Sequence, residues 1–222
     1  IVVFMGLQIV SDVPSMMFDL VAVYASLVCR RKTRWACIAG MAFGFAVLIR
    51  PTNVFMLIPI IFCLPLNIRV LTQFALGGLP LAIFQCIYSL SIYGDPFHLG
   101  YGNPFYMSQG SVLFNLFDLS FSFMFTRFQY YIYWIARLMS PLILLGWLGT
   151  IFNRKLSWRD RAFLISWFGS FILLYCSYSY YNDWWFTRFL MPGWPALIIG
   201  SLITAKYIGE MLGKHVRHVS EN

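Results

Sequence analysis

Long apolar runs divided by short polar breaks set the rhythm of this chain. A helix that crosses a bilayer needs about 20 consecutive, mostly apolar residues. On that measure the runs predict spans at 13–29, 35–49, 54–66, 70–93, 129–152, 162–177 and 189–207, after a partial helix at 1–10. The fold expected is an all-α, polytopic transmembrane bundle of about seven spans. Residues 1–207 form its helical domain and 208–222 a basic cytoplasmic tail. The longest connection, 94–128, opens on turn formers (Tyr93-Gly-Asp-Pro-Phe97), and its second half, 112–128, is aromatic enough to lie along the interface as an amphipathic helix. The sequence begins at Ile1 without an initiator Met, and 1–10 is too short to span, so the chain reads as the C-terminal part of a longer membrane domain.

Composition supports the membrane reading. Of the residues, 60% are hydrophobic and 11% charged, with a mean hydropathy of +0.72; soluble domains carry about 25% charged residues. The net charge of +8 is gathered in short breaks, not in a stripe for nucleic acid. The five cysteines (Cys29, Cys37, Cys63, Cys86, Cys176) have neither metal-ligand spacing nor a disulfide framework.

Charge also predicts sidedness. The basic breaks are Arg30-Arg-Lys-Thr-Arg34, the 153–161 segment and the tail. If Arg50-Pro-Thr-Asn53 is a turn on the opposite face, those breaks fall on one side with Arg69, and that side holds 12 of the 16 Lys and Arg residues. This is the asymmetry of a cytoplasmic face. One continuous helix over 35–66 would leave the two faces nearly equal. Pro51 is awkward inside a helix, and Thr52-Asn53 suit a helix start, so the hairpin is preferred.

The outer side then receives an unusual stretch, Tyr178-Ser-Tyr-Tyr-Asn-Asp-Trp-Trp-Phe-Thr-Arg-Phe-Leu-Met-Pro192. Trp and Tyr suit a water–lipid boundary, whereas Asp183 and Arg188 at that depth suggest a partner or a wet cavity. With Asp12, Arg50 and Asp95 they give one face carboxylates, guanidiniums and aromatic rings. Arg forks grip phosphates, and rings with carboxylates suit sugars. Candidate substrate-binding residues are Arg188, Arg50, Asp183, Asp95, Tyr181 and Trp185, with Asp12 as a secondary acidic contact.

Plainer readings stand beside these. Asp12 would serve as a helix cap, Arg50 as a snorkelling anchor, and Asp183 with Arg188 as a paired charge in an aromatic belt. Asp19, seven residues beyond Asp12 on the same helical face, suggests a buried polar contact. Arg137 is expected to pair inside the bundle, and His98 reads as a surface residue. The Gly94, Gly100 and Gly102 cluster is turn chemistry.

The motifs, in order, resemble a known family. Ser11-Asp12-x-Pro14 opens a membrane helix, Gly44-x-x-x-x-x-Arg50-Pro-Thr follows, then Tyr93-Gly-Asp-Pro-Phe, then Trp185-x-x-Arg188-Phe-Leu-Met-Pro192-x-x-Pro195. The order is similar to the C-terminal two-thirds of GT-C-type integral membrane glycosyltransferases, closest to the dolichyl-phosphate-mannose–protein mannosyltransferase-like and aminoarabinose-transferase-like members. The resemblance implies transfer of a sugar from a polyprenyl-phosphate-linked donor to an acceptor lipid, glycan or protein on the extracytoplasmic face. It also implies a first outer loop, upstream of Ile1, whose acidic residues act as base or bind a divalent metal. No other cofactor is implied. On the resemblance Asp12 matches an acidic position at a later helix start, and Arg188 the Arg that holds the lipid phosphate. A lipid flippase or transporter, and a non-catalytic membrane subunit, are the competing classes.

Overall fold

The computed structural model describes residues 11–97, 117–178 and 184–220. They form α1 (Asp12–Cys29), α2 (Trp35–Ile49), a 3-10 segment (Pro51–Met56) running into α3 (Leu57–Cys63), α4 (Ile68–Tyr93), α5 (Phe121–Leu138), α6 (Pro141–Gly149), α7 (Trp158–Cys176), a second 3-10 segment (Trp184–Gly193) and α8 (Trp194–Ser220). Among the described residues the only β pairing is an isolated bridge between Phe117 and Tyr178. The expected helix at 1–10 and most of the 94–128 connection, including His98, Gly100 and Gly102, lie outside the described residues.

The apolar runs became helices, but fewer of them are long enough to span than the sequence suggested. Three, α1, α4 and the stretch Thr187–Gly213, are long and apolar enough to cross a membrane, and a fourth if α5 and α6 count as one bent span. At about 1.5 Å per residue, the 15 residues of α2 fall short of the roughly 30 Å hydrocarbon core. The run at 129–152 is not one helix. It is two, bent by 110°, because the residue before Pro141 is pushed out of the helical region; Ser140 then caps α6 by accepting a hydrogen bond from Leu142 N at 3.2 Å. Of the amphipathic helix expected over 112–128, residues 112–116 lie outside the described residues and 121–128 open α5. Among the described residues Arg137 makes no bridge into the bundle: it sits in the last turn of α5, exposed, with Nη1 donating to Tyr133 Oη at 2.7 Å. Residues read as a separate tail continue α8 as far as Ser220.

The helices pack by close backbone approach. α2 lies between α1 and α4, and α6 lies against α8. Small residues make this possible, as they do where no water is present to drive association. A Cβ at Gly40 would strike the Phe74 carbonyl, one at Gly77 the Cys37 carbonyl, and one at Gly149 the Thr204 side chain. Gly77→Ala is therefore expected to destabilise the α2–α4 contact by about 1–3 kcal/mol, the usual range for overpacking. Thermal unfolding in mild detergent checks this, and a melting temperature equal to wild type would contradict so tight a crossing.

The large fully buried side chains Trp167, Phe168, Phe171, Met56, Ile60, Leu190, Met191 and Trp194 form the core between α3, α7 and the second 3-10 segment. Exposed apolar residues such as Leu76, Ile83, Phe84, Ile87 and Leu142 cover the outside. The most completely buried polar groups are Ser15, Asp19, Ser26, Asn53, Ser89 and Thr150. Apolar side chains on the outside and a few polar groups held inside are what lipid solvent favours.

The two ends of the bundle differ. At the basic end, Arg30 donates through Nε to the Cys63 carbonyl at 3.0 Å and pairs through Nη1 with Asp160 at 2.9 Å, while Arg159 Nη2 donates to the Leu64 carbonyl at 2.6 Å. Lys155 pairs with Glu210. Arg30 thus ties the end of α1 to the ends of α3 and the start of α7, so 51–63 returns to the end from which α2 departed. The hairpin expected at Arg50 is observed.

Burial works against ionisation of Asp160, which stands in the polar break ahead of the apolar run of α7, but the Ser157 hydroxyl and the Arg30 guanidinium outweigh it and hold the carboxyl below its ordinary value. A depressed folded-state value gives stability that is present above the ordinary carboxylate pKa of about 4 and is lost as pH falls through the folded value. The pair's share of stability is thus expected to be complete at pH 5–7 and to fade on stronger acidification. Arg30→Ala should flatten that acid limb of the melting curve; an unchanged limb would show that the pair is not responsible.

Candidate functional site

The other end brings three distant polar breaks together. Asp12 opens α1, Arg50 closes α2, and Arg188 lies in the second 3-10 segment. Helix α1 begins with Ser11 at its cap position, where no side-chain capping bond forms, and the Asp12 carboxylate lies in its first turn. It turns to Arg50, with Oδ1 paired to Nη1, while Oδ2 faces Arg188 Nε at 3.9 Å. Asp12 and Arg50 are buried, at 4% and 5% exposure, so Arg50 does not snorkel to water.

Arg50 is engaged by three side chains. Besides Asp12, its Nη2 donates to Tyr175 Oη at 3.0 Å and its Nε to Thr52 Oγ1 at 3.2 Å, and the Tyr175 hydroxyl donates to Thr52 Oγ1 at 3.0 Å. Arg188 is placed differently. Its side chain is 31% exposed, and among the described residues its Nε has no hydrogen-bond partner. Both guanidiniums lie over Phe189, with Arg50 at 4.9 Å and Arg188 at 5.4 Å from the ring centroid. Phe189 stacks on Tyr175 at 5.3 Å, and Tyr178 meets both rings edge-on. Cations over aromatic faces gain roughly 0.5–2 kcal/mol each, more as they lose water. The collar thus fixes the two Arg heads side by side.

The scaffold explains this placement. Trp167 Nε1 donates to the Pro192 carbonyl at 2.8 Å, and Gly193 lets the chain run close against Phe168 and Phe171. These contacts hold the second 3-10 segment on α7 and so aim Arg188 inward. Phe117 and Tyr178 form a bridge, and Asp118 N donates to the Ser177 carbonyl at 2.7 Å. The end of the long connection is thereby stitched to the end of α7, beside the collar. Asp118 accepts from Ser120 N at 2.8 Å. That bond and the Ser120 hydroxyl hold its carboxyl below the ordinary range.

Of the residues singled out from sequence, Asp12, Arg50 and Arg188 meet. Asp95 does not join them among the described contacts: it is exposed and accepts the Phe97 backbone N–H at 3.0 Å in its own turn. Tyr181 and Asp183 lie outside the described residues, as does the side chain of Trp185, so the expected pairing of Asp183 with Arg188 lies outside them too. Tyr175, Thr52 and Phe189 are site residues that sequence reasoning did not select. Thr52 sits inside the Arg50-Pro-Thr motif, but nothing in the apolar run of α7 separates Tyr175 from its neighbours.

Two turns below the mouth is a second contact. Asn53, on the same 3-10 turn as Arg50, donates through Nδ2 to Asp19 Oδ2 at 2.8 Å, and both residues are fully buried. The buried polar contact expected of Asp19 is this one.

Among the described residues no three His, Cys, Asp or Glu side chains gather as metal ligands. Asp12, the one carboxylate in the cluster, is already held by Arg50. The described residues therefore do not fit a divalent metal. What the arrangement can do is present one guanidinium, Arg188, to an anion, backed by a buried ion pair and faced with aromatic rings. No protein-family model, curated protein or solved structure matches this chain.

Proposed function

We propose that the chain is a GT-C-type membrane glycosyltransferase with about seven spans. It would move a sugar from a polyprenyl-phosphate-linked donor to an acceptor lipid, glycan or protein at the extracytoplasmic face. The supporting observation is the convergence of Asp12, Arg50 and Arg188 under one aromatic collar, at the end of the bundle opposite the basic breaks. In this reading Arg188 takes the donor's phosphate, because of the three side chains it is the one that keeps access to solvent. Arg50 stands behind it as a fixed positive charge. Asp12 acts as a positioning residue: its oxygens are turned to two guanidiniums, which leaves it poorly placed to accept a proton from an incoming hydroxyl.

The acceptor hydroxyl attacks the anomeric carbon as the bond to the phosphate oxygen breaks. The hydroxyl proton passes to a base, which must lie within hydrogen-bond reach of it, and the negative charge that develops on the departing phosphate is stabilised by Arg188, the electrostatic role that is often largest in catalysis. The test is to reconstitute the chain in bilayers with polyprenyl-phosphate sugars and follow release of free polyprenyl phosphate. Donor consumption that needs an acceptor supports transfer; movement of intact donor between leaflets, with no release, supports a flippase. The 110° break between α5 and α6 gives that second reading its footing, since transporters use interrupted helices.

A further inference from the structure

We propose that Asp19 is a proton-binding site: its carboxyl carries a proton on Oδ1 and donates it to Asn53 Oδ1, closing a two-bond acid–amide ring in the middle of the bundle. Asp19 and Asn53 are both 0% exposed. One half of the ring is present, Asn53 Nδ2 donating to Asp19 Oδ2 at 2.8 Å. Among the described residues, the other two oxygens of the pair, Asp19 Oδ1 and Asn53 Oδ1, are both buried without a partner. An ionised carboxylate has only acceptors, so it could satisfy neither atom, and a lone buried charge carries a large desolvation penalty. A single proton on Oδ1 turns one acceptor into a donor and gives both atoms a partner at once.

Among the described residues, no cation on the neighbouring elements is available to take the proton's place. α1 carries Asp12, Tyr24 and Cys29 besides Asp19, and α2 offers only Cys37, which is exposed. Arg50 on the 3-10 turn is committed to Asp12, Tyr175 and Thr52. Arg188 faces Asp12 at the mouth, and Cys63 on α3 lies at the opposite end beside Arg30. The proton is thus part of the fold. It lets one short turn, 50–53, clasp α1 twice: through a charged pair at the mouth and a neutral one below it. The proposal holds whichever chemistry the mouth performs.

The experiment is infrared spectroscopy of the purified full chain in bilayers, labelled with 13C at the aspartate carboxyls. A carbonyl band of a neutral carboxylic acid is expected above the amide band at neutral pH, shifted by the label and by D2O. It should persist when the pH is raised to about 9, beyond the range of ordinary carboxyls. Asp19→Asn should remove the band and keep a melting temperature close to wild type, because a second amide can rebuild the ring through its own N–H. Asn53→Leu, which cannot, should lower it. Absence of the acid band from the wild type overturns the proposal. So does a melting temperature that rises with Na+ or K+ in the wild type and not in Asp19→Asn, which would show an ionised carboxylate holding a monovalent cation.

Discussion

Arg50→Met lowers the stability of the folded chain by about 3–5 kcal/mol, the range for removing one partner of a buried ion pair. Methionine keeps most of the side-chain volume, so the effect is electrostatic. It strands the Asp12 carboxylate at 4% exposure, with Arg188 too far, at 3.9 Å, to replace a bonded partner. The same change leaves the Tyr175 and Thr52 hydroxyls without their guanidinium donor. Unfolding in a graded mixture of mild and denaturing detergent measures the loss. The decisive control is Arg50→Met combined with Asp12→Asn, which removes the stranded charge and should recover a large part of the stability. A double variant no better than Arg50→Met would mean that the ion pair is not what Arg50 contributes.

Arg188→Ala is expected to behave in the opposite manner. Its side chain is partly exposed and, among the described residues, its nearest anionic contact is long, so folding and membrane insertion should be little changed. If it stabilises charge on a departing phosphate, its removal should lower transfer by about 10²–10³-fold, the scale seen when one oxyanion-type donor is lost. Arg188→Lys should restore only part of the rate, because an ammonium lacks the guanidinium fork. Wild-type turnover by Arg188→Ala would remove the residue from the reaction and leave the cluster a structural device.

Much of this arrangement was legible in the sequence, for reasons that can be stated residue by residue. Arg50, Asp12 and Arg188 stood out because charge at the end of an apolar run is expensive and must be answered. The turn at Arg50-Pro-Thr-Asn53 followed from proline geometry and from charge asymmetry, and the boundaries of α2 came out at Trp35 and Ile49 as expected. The break at Ser140-Pro141 was missed because hydropathy is continuous across it; only the proline marked it, and the apolar run was given precedence. The roles of Arg50 and Arg188 were not separable either. Both are arginines at an outer break, and only tertiary contacts show that one is buried against Asp12, Tyr175 and Thr52 while the other stays partly exposed. Tyr175 was invisible for a related reason: a tyrosine whose hydroxyl bonds to residues 123 and 125 positions away has no local signature.

The Asp12–Arg50 pair also bears on how the chain enters a membrane. The 15 residues of α2 and the 13 of 51–63 are each too short to be handed to lipid alone, and Arg50 at their apex would have to cross with its charge. Asp12 is synthesised first, at the head of α1, and offers that charge a partner within the same insertion step. Biogenesis is thus expected to treat residues 12–63 as one three-helix package released to the bilayer together. In a glycosylation-mapping assay of nascent chains, Asp12→Leu should then misplace the 50–53 turn even though it lies more than one helix downstream of the substitution.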